Sequence, residues 1–180
     1  MRYFKKVIGE RLYLSPINKD DVEIYTKWLN DYEVSGPLAN LYAQTISLVS
    51  EQKALESLTS DGQNYAMVLH DNDTLIGNIS LQYIDNISRR ADIGLFIGER
   101  DHRNKGYGSE ALRLILGYGF KTLNLHNIML RVDSDNEIAI SCYKKVGFRE
   151  FGRRRDAQFK DGKYIDVVYM DILDTDFYRV

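Results

Sequence analysis

Cysteine is almost missing from this chain, which has one, Cys142, among 180 residues. One thiol excludes an intramolecular disulfide and leaves no cysteine cluster for zinc or an iron–sulfur centre. The histidines are few as well, and His70, His102 and His126 show neither the H-E-x-x-H pattern nor another spacing typical of metal ligands. The composition therefore predicts no metal site, and it fits a reducing, cytoplasmic compartment.

Net charge and long apolar runs are also scarce. The formal charge is -2 at pH 7, which gives no general attraction for nucleic acid or an anionic membrane, so an anionic ligand requires a local site. The charged start, Met1–Lys6, is not followed by an apolar stretch of signal-peptide length, and no run of about 18 apolar residues occurs. We expect a single domain over residues 1–180 that is soluble, is not exported, and binds neither nucleic acid nor membrane.

Apolar periodicity predicts a mixed sheet with helices on its faces. The predicted helices begin at Asp20 or Asp21 and end near Leu29, and then cover Ser47–Thr59, Gly108–Thr122 and Glu137–Val146. The predicted strands are Arg11–Ile17, Tyr65–His70, Leu75–Tyr83, Ala91–Ile97, Asn127–Asp133, Arg149–Gln158 and Tyr164–Leu173. This order combines an antiparallel half with a βαβ unit, so we expect a mixed α/β (α+β) fold with about seven mostly antiparallel strands and about four helices. The segment Tyr32–Thr45 lacks a period and is interpreted as an irregular loop on the substrate side.

A short basic segment with two glycines, Arg103–Gly108, lies between the predicted strand Ala91–Ile97 and the next helix. A loop that enters a helix offers backbone N–H groups and the positive end of the helix dipole, and glycine lets a bulky anion approach the backbone. Arg103 and Lys105 add positive charge. The segment is therefore a candidate phosphate-binding loop.

Other interpretations of this loop stay open on these residues alone. Gly106–Ala111 satisfies the G-x-G-x-x-A form of the dinucleotide fingerprint, with Asp133 as a candidate ribose-binding acid. Against it, Gly98–Lys105 separate the first glycine from the strand end, and the second βαβ half is missing. No nucleotide-triphosphate loop of the form G-x-x-x-x-G-K-S/T occurs. The glycines would also fit a plain turn before an amphipathic helix.

A second group of candidate residues surrounds the helix Glu137–Val146. Asn136 is suited to be its N-cap, and Gly147 to end it in the left-handed conformation. Asn136 and Tyr143 are about two helical turns apart, so both side chains can face one ligand. The simpler interpretation is a cap and a half-buried core aromatic.

Together these patterns resemble the GNAT superfamily of acetyl-CoA-dependent N-acetyltransferases. The residues that carry the resemblance are Arg103-x-x-Gly106-x-Gly108 and Asn136-Glu137-x-Ala139-x-x-x-Tyr143-x-Lys145-x-Gly147-Phe148. The opening Glu10-Arg11-Leu12-x-Leu14-x-Pro16 resembles the RimJ/RimL-type branch, whose members acetylate protein N-termini and small amines. Ser15 departs from that branch, because many of its sequences have arginine there.

The resemblance implies a coenzyme site and two catalytic residues. The pyrophosphate of acetyl-CoA would lie on the backbone of Arg103–Ser109, and the pantetheine arm would pair with the preceding strand end. The implied coenzyme-binding residues are Phe96, Ile97, Gly98, Arg103, Asn104, Lys105, Gly106, Tyr107, Gly108, Ser109, Asn136, Ala139, Tyr143 and Lys145. Tyr143 would protonate the coenzyme sulfur, and the N–H group near Ile97 would hold the thioester oxygen.

The general base is less sharply defined by the sequence. Asp92 stands at a position that resembles the base of the histone-acetylating members, and burial would raise its pKa toward the working range. An ion pair with Arg89 or Arg90, or a water chain in place of a base, are alternatives. Cys142 fits a small packed residue better than a nucleophile, since the family transfers the acetyl group directly.

The acceptor is an amine of open identity. Asn136–Phe148 and Phe159–Tyr164 resemble spermidine N-acetyltransferases, but Ser80 and Gln82 stand where such an enzyme is expected to carry carboxylates. A protein N-terminus, a polyamine or another small amine is therefore expected. A non-catalytic acyl-CoA-binding regulatory module is the alternative function, which the presence of Tyr143 disfavours, and a purely structural interaction protein is a third. Exposed strand edges permit a homodimer.

Overall fold

The computed structural model of the chain describes residues 2–38, 41–60 and 63–178. Within them are eight strands, six α-helices and three short 3-10 turns. The strands are β1 (Val7–Ile8), β2 (Leu12–Pro16), β3 (Asn64–Leu69), β4 (Leu75–Asp85), β5 (Arg90–Ile97), β6 (Asn127–Asp133), β7 (Arg149–Lys160) and β8 (Lys163–Leu173). The helices are α1 (Val22–Asn30), α2 (Tyr32–Ser35), α3 (Leu48–Ser60), α4 (Tyr107–Lys121), α5 (Glu137–Val146) and α6 (Asp174–Phe177).

The chain divides into two compact units. The first contains the residues up to Ser80 together with Leu95–Ile115, and the second contains Leu81–Gly94 and the residues from Leu116 onwards. Strands β4 and β5 and helix α4 therefore contribute to both units. The prediction of a single domain over residues 1–180 stays a prediction.

In the first unit the strands follow the order β1-β2-β3-β4-β5. Successive pairs from β1 to β4 are antiparallel, with Leu14 opposite Met67 between β2 and β3. Helix α1 presents Tyr25 and Trp28 to a core cluster that also contains residues of α3 and the sheet. The other buried members are Tyr3, Tyr13, Ile17, Val34, Leu55, Ala66, Val68 and Leu75, and Phe96 packs against them. Helical spacing on α1 and alternation on the strands thus bury one common apolar surface.

In the second unit the order is β4-β5-β6-β8-β7. Strands β5 and β6 are parallel, and their register runs from Arg90 opposite Asn127 to Asp92 opposite Met129. Strand β6 pairs antiparallel with β8, which pairs antiparallel with β7. This arrangement confirms the expected mixed, mostly antiparallel sheet. It excludes the dinucleotide-binding alternative, which requires a mainly parallel sheet.

The predicted elements were found, and the additional ones are short. Strand β6 and helix α5 have the predicted bounds, and the other predicted elements differ by one to a few residues at their ends. The sequence did not predict β1, α2 or α6, which have two, four and four residues. Inside the predicted irregular loop Tyr32–Thr45 lie α2 and a 3-10 turn, Leu41–Ala43, whereas Ala39 and Asn40 lie outside the described residues.

No helix in the part of the chain described above combines the length and the apolar character of a membrane span.

Gly98 offers a direct test of packing in the first unit. A Cβ atom at this position would lie 2.0 Å from the Trp28 ring. The ring cannot move aside easily, because it is 2% exposed, its Nε1 donates to Glu99 (2.9 Å), and it packs edge-on against Tyr25 and Phe96. We expect Gly98→Ala to lower the free energy of unfolding by about 1–3 kcal/mol, as overpacking does.

Urea unfolding followed by circular dichroism measures this difference. The matched control is Gly152→Ala, because a Cβ atom there would meet nothing within 4 Å. Equal unfolding free energies for the two variants would contradict the assigned contact between Gly98 and Trp28.

Candidate active site

The loop that leads into α4 has a backbone that few residue types adopt. After β5 the chain makes a 3-10 turn, Arg100–His102, and Asn104 and Gly106 then have φ angles of +59° and +84°. Glycine adopts this left-handed region without penalty, and asparagine tolerates it. The first helical hydrogen bond runs from Glu110 N–H to the Gly106 carbonyl (3.1 Å). The N-terminal end of α4, with its partial positive charge, therefore faces this loop.

Arg11 and Glu110 fasten the loop to the start of β2. Glu110 Oε2 accepts from Arg11 Nε (2.8 Å), and Glu110 Oε1 accepts from the Arg11 backbone N–H (2.8 Å). Arg11 Nη1 donates to the Lys105 carbonyl (2.9 Å), and the guanidinium lies 4.6 Å from the centre of the Tyr107 ring. Because the Lys105 carbonyl is held by Arg11, the peptide that follows it has a fixed orientation. The sequence placed Arg11 on a strand and in the opening motif Glu10-Arg11-Leu12, but it gave no sign of its contact with the loop.

Glu110 is held as a carboxylate. Burial raises the pKa of Glu110, but hydrogen bonds from the Arg11 backbone, the Arg11 side chain and the Leu12 N–H outweigh burial and bring the pKa below its usual value. A negative charge in the first turn of a helix is also favoured by the helix dipole. The ion pair with Arg11 is therefore intact at neutral pH.

Arg103 turns back to the end of β5. Its Nε and Nη2 donate to the carbonyls of Ile97 and Gly98 (both 3.2 Å), and its Nη1 lies 3.6 Å from Glu33 Oε2. Gly98 N–H donates to the Ile76 carbonyl (2.9 Å). The strand end that was predicted to receive the pantetheine arm is thus fixed by a side chain from the loop. The expectation that Arg103 adds charge beside a phosphate stays a prediction.

The remaining coenzyme-binding candidates of the first unit lie on these same segments. Phe96 and Ile97 end β5, and Asn104 and Lys105 are exposed on the loop. Tyr107, Gly108 and Ser109 form the first turn of α4. The structure therefore brings Phe96–Gly98 and Arg103–Ser109 together at one end of β5.

In the second unit, Asn136 and Gly147 delimit α5 as predicted. Asn136 Oδ1 accepts from the Ala139 N–H (3.1 Å), which is the N-cap hydrogen bond. Gly147 has a φ of +117° and donates to the carbonyls of Tyr143 and Lys144. Lys145 lies in the last turn, where a positive charge complements the helix dipole. Ala139 and Lys145 are placed by the same two caps.

Tyr143 lies on α5 with its phenol kept protonated. Burial, followed by the neighbouring Cys142 thiol, raises the pKa of Tyr143 to about 12. Its ring packs edge-on against Phe148 at 5.9 Å between centres. Removal from water disfavours the charged phenolate, so the hydroxyl remains a proton donor throughout the physiological range. Cys142 is a free, partly buried thiol.

Asp92 is a partly buried carboxylate on β5. Burial raises its pKa, and the positive charges of Arg131 and Arg90 oppose that increase. The ion pairs that Arg89 and Arg90 form join Asp174 (3.9 Å) and Asp85 (3.4 Å). Arg89 and Arg90 thus have other carboxylate partners, while the charge of Arg90 also acts on Asp92. The role of Asp92 as the general base stays a prediction.

Among the described residues, no three or more His, Cys, Asp or Glu side chains are grouped so that they could hold a metal ion.

The sequence matches the family described as Acetyltransferase (GNAT) domain over residues 11–149. Among curated relatives, the protein named uncharacterized N-acetyltransferase p20 from Bacillus licheniformis is 29% identical over 150 residues, 82% of this chain and 84% of that protein. Spermidine N(1)-acetyltransferase of Escherichia coli (strain K12) is 29% identical over 146 residues, 75% of this chain and 71% of that protein.

Solved structures agree with this match. The crystal structure of spermidine N-acetyltransferase from Vibrio cholerae in complex with CoA and spermine has a TM-score of 0.82 at 26% identity, covering 93% of this chain and 98% of that chain. A GNAT-family acetyltransferase from Bacillus anthracis has a TM-score of 0.82 at 23% identity, covering 94% and 98%, which shows the same fold. The family match spans most of the chain, and the chain therefore belongs to the GNAT acetyltransferases.

Proposed function

We propose that this enzyme transfers an acetyl group from acetyl-CoA directly to a primary amine on a polyamine, another small molecule or a protein N-terminus. The observation that carries the proposal is the loop Arg103–Gly106 at the N-terminus of α4, held by Arg11 and Glu110. It offers backbone donors and a helix dipole to an anion, as the pyrophosphate of coenzyme A requires. One relative of similar structure is known in complex with CoA.

Gly106 is the loop position that tolerates a larger residue least. A Cβ atom there would lie 3.3 Å from Arg11 Nη2, and the φ of +84° disfavours most residues other than glycine. The pantetheine arm would lie along β5. The pairing of β5 with β6 ends at Asp92, although β5 continues to Ile97. An extended ligand could therefore pair with Ile93–Ile97. The roles of Asn136, Ala139, Tyr143 and Lys145, which lie in the second unit, as coenzyme-binding residues stay predictions.

Acetyl transfer needs a neutral amine, an environment that stabilises the tetrahedral oxyanion, and a proton for the departing thiolate. Tyr143 supplies the proton to the coenzyme sulfur, because its raised pKa keeps the hydroxyl protonated. Asp92 removes a proton from the amine, because burial moves its pKa toward the working range. The N–H group near Ile97 donates to the thioester oxygen.

The acceptor class follows from the relatives and from two strand residues. Similarity to spermidine acetyltransferases favours a polyamine. Ser80, which is 2% exposed, and Gln82, which is exposed, occupy the positions on β4 where carboxylates were expected, so an aminoglycoside, an amino sugar or an N-terminal peptide belongs in the same test. Membership of the RimJ/RimL-type branch, a cytoplasmic location and a homodimer stay predictions.

Thiol release from acetyl-CoA, measured across polyamines, aminoglycosides, amino sugars and N-terminal peptides, tests the proposed function. We expect release with at least one amine class. The alternative, a non-catalytic acyl-CoA-binding regulatory module, would bind acetyl-CoA and release no thiol with any amine. Absence of binding and of release together would contradict both functions.

Removing the Arg11 side chain tests the anchored loop. We expect Arg11→Met to weaken coenzyme A binding about tenfold, because the Lys105 carbonyl and Glu110 each lose a charge-assisted hydrogen bond and the loop loses its fixed orientation. Calorimetric titration with coenzyme A measures the dissociation constant. Arg154→Met, on the exposed strand β7, removes the same charge elsewhere and should leave binding unchanged. Equal affinities in the two variants would rule out the anchoring role.

Tyr143 is tested by removing one oxygen atom. We expect Tyr143→Phe to lower kcat about a hundredfold or more, the usual loss for a general acid, while coenzyme A affinity is retained. Because burial raises the pKa of Tyr143 to about 12, ionisation of this phenol should not reduce the activity of the parent enzyme at any pH below about 10. Tyr164→Phe, at an exposed position, is the control. Unchanged turnover in Tyr143→Phe would remove Tyr143 as the acid.

Asp92 is tested through the pH profile of kcat/KM. The ionised carboxylate is the active form, so activity falls as the pH falls through its pKa, which burial has raised. We expect Asp92→Asn to lower kcat/KM about a hundredfold or more and to abolish this acid limb. Asp85→Asn, which removes the neighbouring partner of Arg90, should keep the limb. If kcat/KM of Asp92→Asn still falls at low pH, the titrating group is a residue other than Asp92.

A further inference from the structure

The ammonium group of Lys160 is buried between two carboxylates. Lys160 Nζ lies 3.2 Å from Asp135 Oδ2 and 4.0 Å from Asp133 Oδ2, and its side chain is 13% exposed. All three residues belong to the second unit. Asp133 is the last residue of β6, Asp135 follows it, and Lys160 ends β7 beside the turn to β8. Long lysine side chains usually keep their charge in water, so this placement is unusual.

Asp133 has unused capacity for a cation. The residue is 6% exposed, and its Oδ2 atom is buried without a hydrogen-bond partner among the described residues. At 4.0 Å the Lys160 ammonium is beyond hydrogen-bond distance from that oxygen. Burial raises the pKa of Asp133, as does the charge of Asp135, while Lys160 opposes them. Oδ2 therefore has an unused capacity to accept a hydrogen bond, which the Lys160 ammonium does not satisfy.

The cluster already holds a primary ammonium, that of Lys160, and its chemistry suits another. The Lys160 ammonium lies between two carboxylates, one buried and one 45% exposed. It is chemically the same group as the ammonium of a protonated alkylamine. The cluster is also joined to α5, because the Asn136 backbone N–H donates to the Asp133 carbonyl (3.0 Å). It therefore adjoins the cap of the helix that carries Tyr143.

We propose that Asp133 and Asp135 form the subsite that binds an ammonium group of the acceptor, and that Lys160 occupies it in the absence of the acceptor. This inference rests on the proposed function, since the acceptor is the amine of that reaction. Lys160 thus acts as a tethered competitor. The apparent dissociation constant of an amine is its intrinsic value divided by the fraction of molecules in which the subsite is vacant.

In the proposed displacement the side chain of Lys160 moves and its backbone keeps its place in the hairpin. The Lys160 backbone pairs with Lys163 across the tight turn Asp161–Gly162. In this turn Asp161 has a φ of +50° and Gly162 a φ of +76°. The strand ladder can therefore remain while the flexible four-carbon stem rotates outward. A displaced ammonium returns to water at the exposed end of the β7–β8 hairpin.

Calorimetric titration of the full chain with 1,4-diaminobutane, without acetyl-CoA, tests the proposal. We expect Lys160→Met to lower the dissociation constant about tenfold relative to the parent, as removal of a competitor that fills about nine-tenths of the sites would do. Lys163→Met, the matched control, removes an exposed charge from the same hairpin and should bind as the parent does. The double variant Lys160→Met/Asp133→Asn should lose this gain in affinity for 1,4-diaminobutane. For 1,4-butanediol, which has no ammonium group, Lys160→Met should show no gain in affinity.

Equal affinity of Lys160→Met and Lys163→Met would overturn the proposal, as would a gain that survives Asp133→Asn. Thermal melting checks that each variant folds, and Lys160→Gln replaces Lys160→Met if the latter does not fold. Thiol release with acetyl-CoA is measured separately. If the variants bind as expected but no thiol is released, acetyl transfer is contradicted and an ammonium-binding site remains. If thiol is released but the variants do not bind as expected, the subsite alone is contradicted.

Discussion

One carboxylate, Glu110, holds the candidate coenzyme loop in place. It accepts two backbone N–H groups at the start of β2 and the Arg11 guanidinium, which in turn holds the Lys105 carbonyl. A loop with left-handed residues at Asn104 and Gly106 has little helical or strand structure of its own to restrain it. The ion pair supplies that restraint from another strand. Its strength depends on Glu110 remaining ionised, which the same hydrogen bonds ensure.

Close packing sets the second constraint, at the end of β5. The Trp28 ring occupies the space that a side chain at Gly98 would need, and Glu99 fixes that ring through its Nε1. Arg103 then holds the carbonyls of Ile97 and Gly98. A strand end that is packed on one side and hydrogen-bonded by a loop residue loses little entropy when a ligand pairs with it. Rigidity here stabilises the fold, and it would also favour the proposed pairing with the pantetheine arm.

Local signals explain what could be predicted from the sequence. Asn136 and Gly147 mark the ends of α5 because capping depends on residues within one turn, and alternation of apolar residues gave the bounds of β6. The partnership of Arg11 with Glu110 spans 99 positions, and that of Lys160 with Asp135 spans 25, so no local pattern reveals them. Arg103 illustrates the same limit: its position was predicted to be basic and near the loop, but its direction depends on carbonyls that only the folded strand presents.

In the second unit, burial raises the pKa of three acidic side chains. The consequence differs between the phenol and the two carboxylates. Burial raises the pKa of Tyr143, Asp92 and Asp133 alike, because removal from water disfavours every anion. A phenol whose pKa rises is a more secure proton donor, whereas a carboxylate whose pKa rises becomes a stronger base. The same removal from water also leaves the ionised carboxylate less screened from a nearby cation. Asp133 is costly to bury beside an ammonium 4.0 Å away, and an apolar pair of similar volume would often be more stable. That cost is understandable if the carboxylate has to be available when an amine arrives.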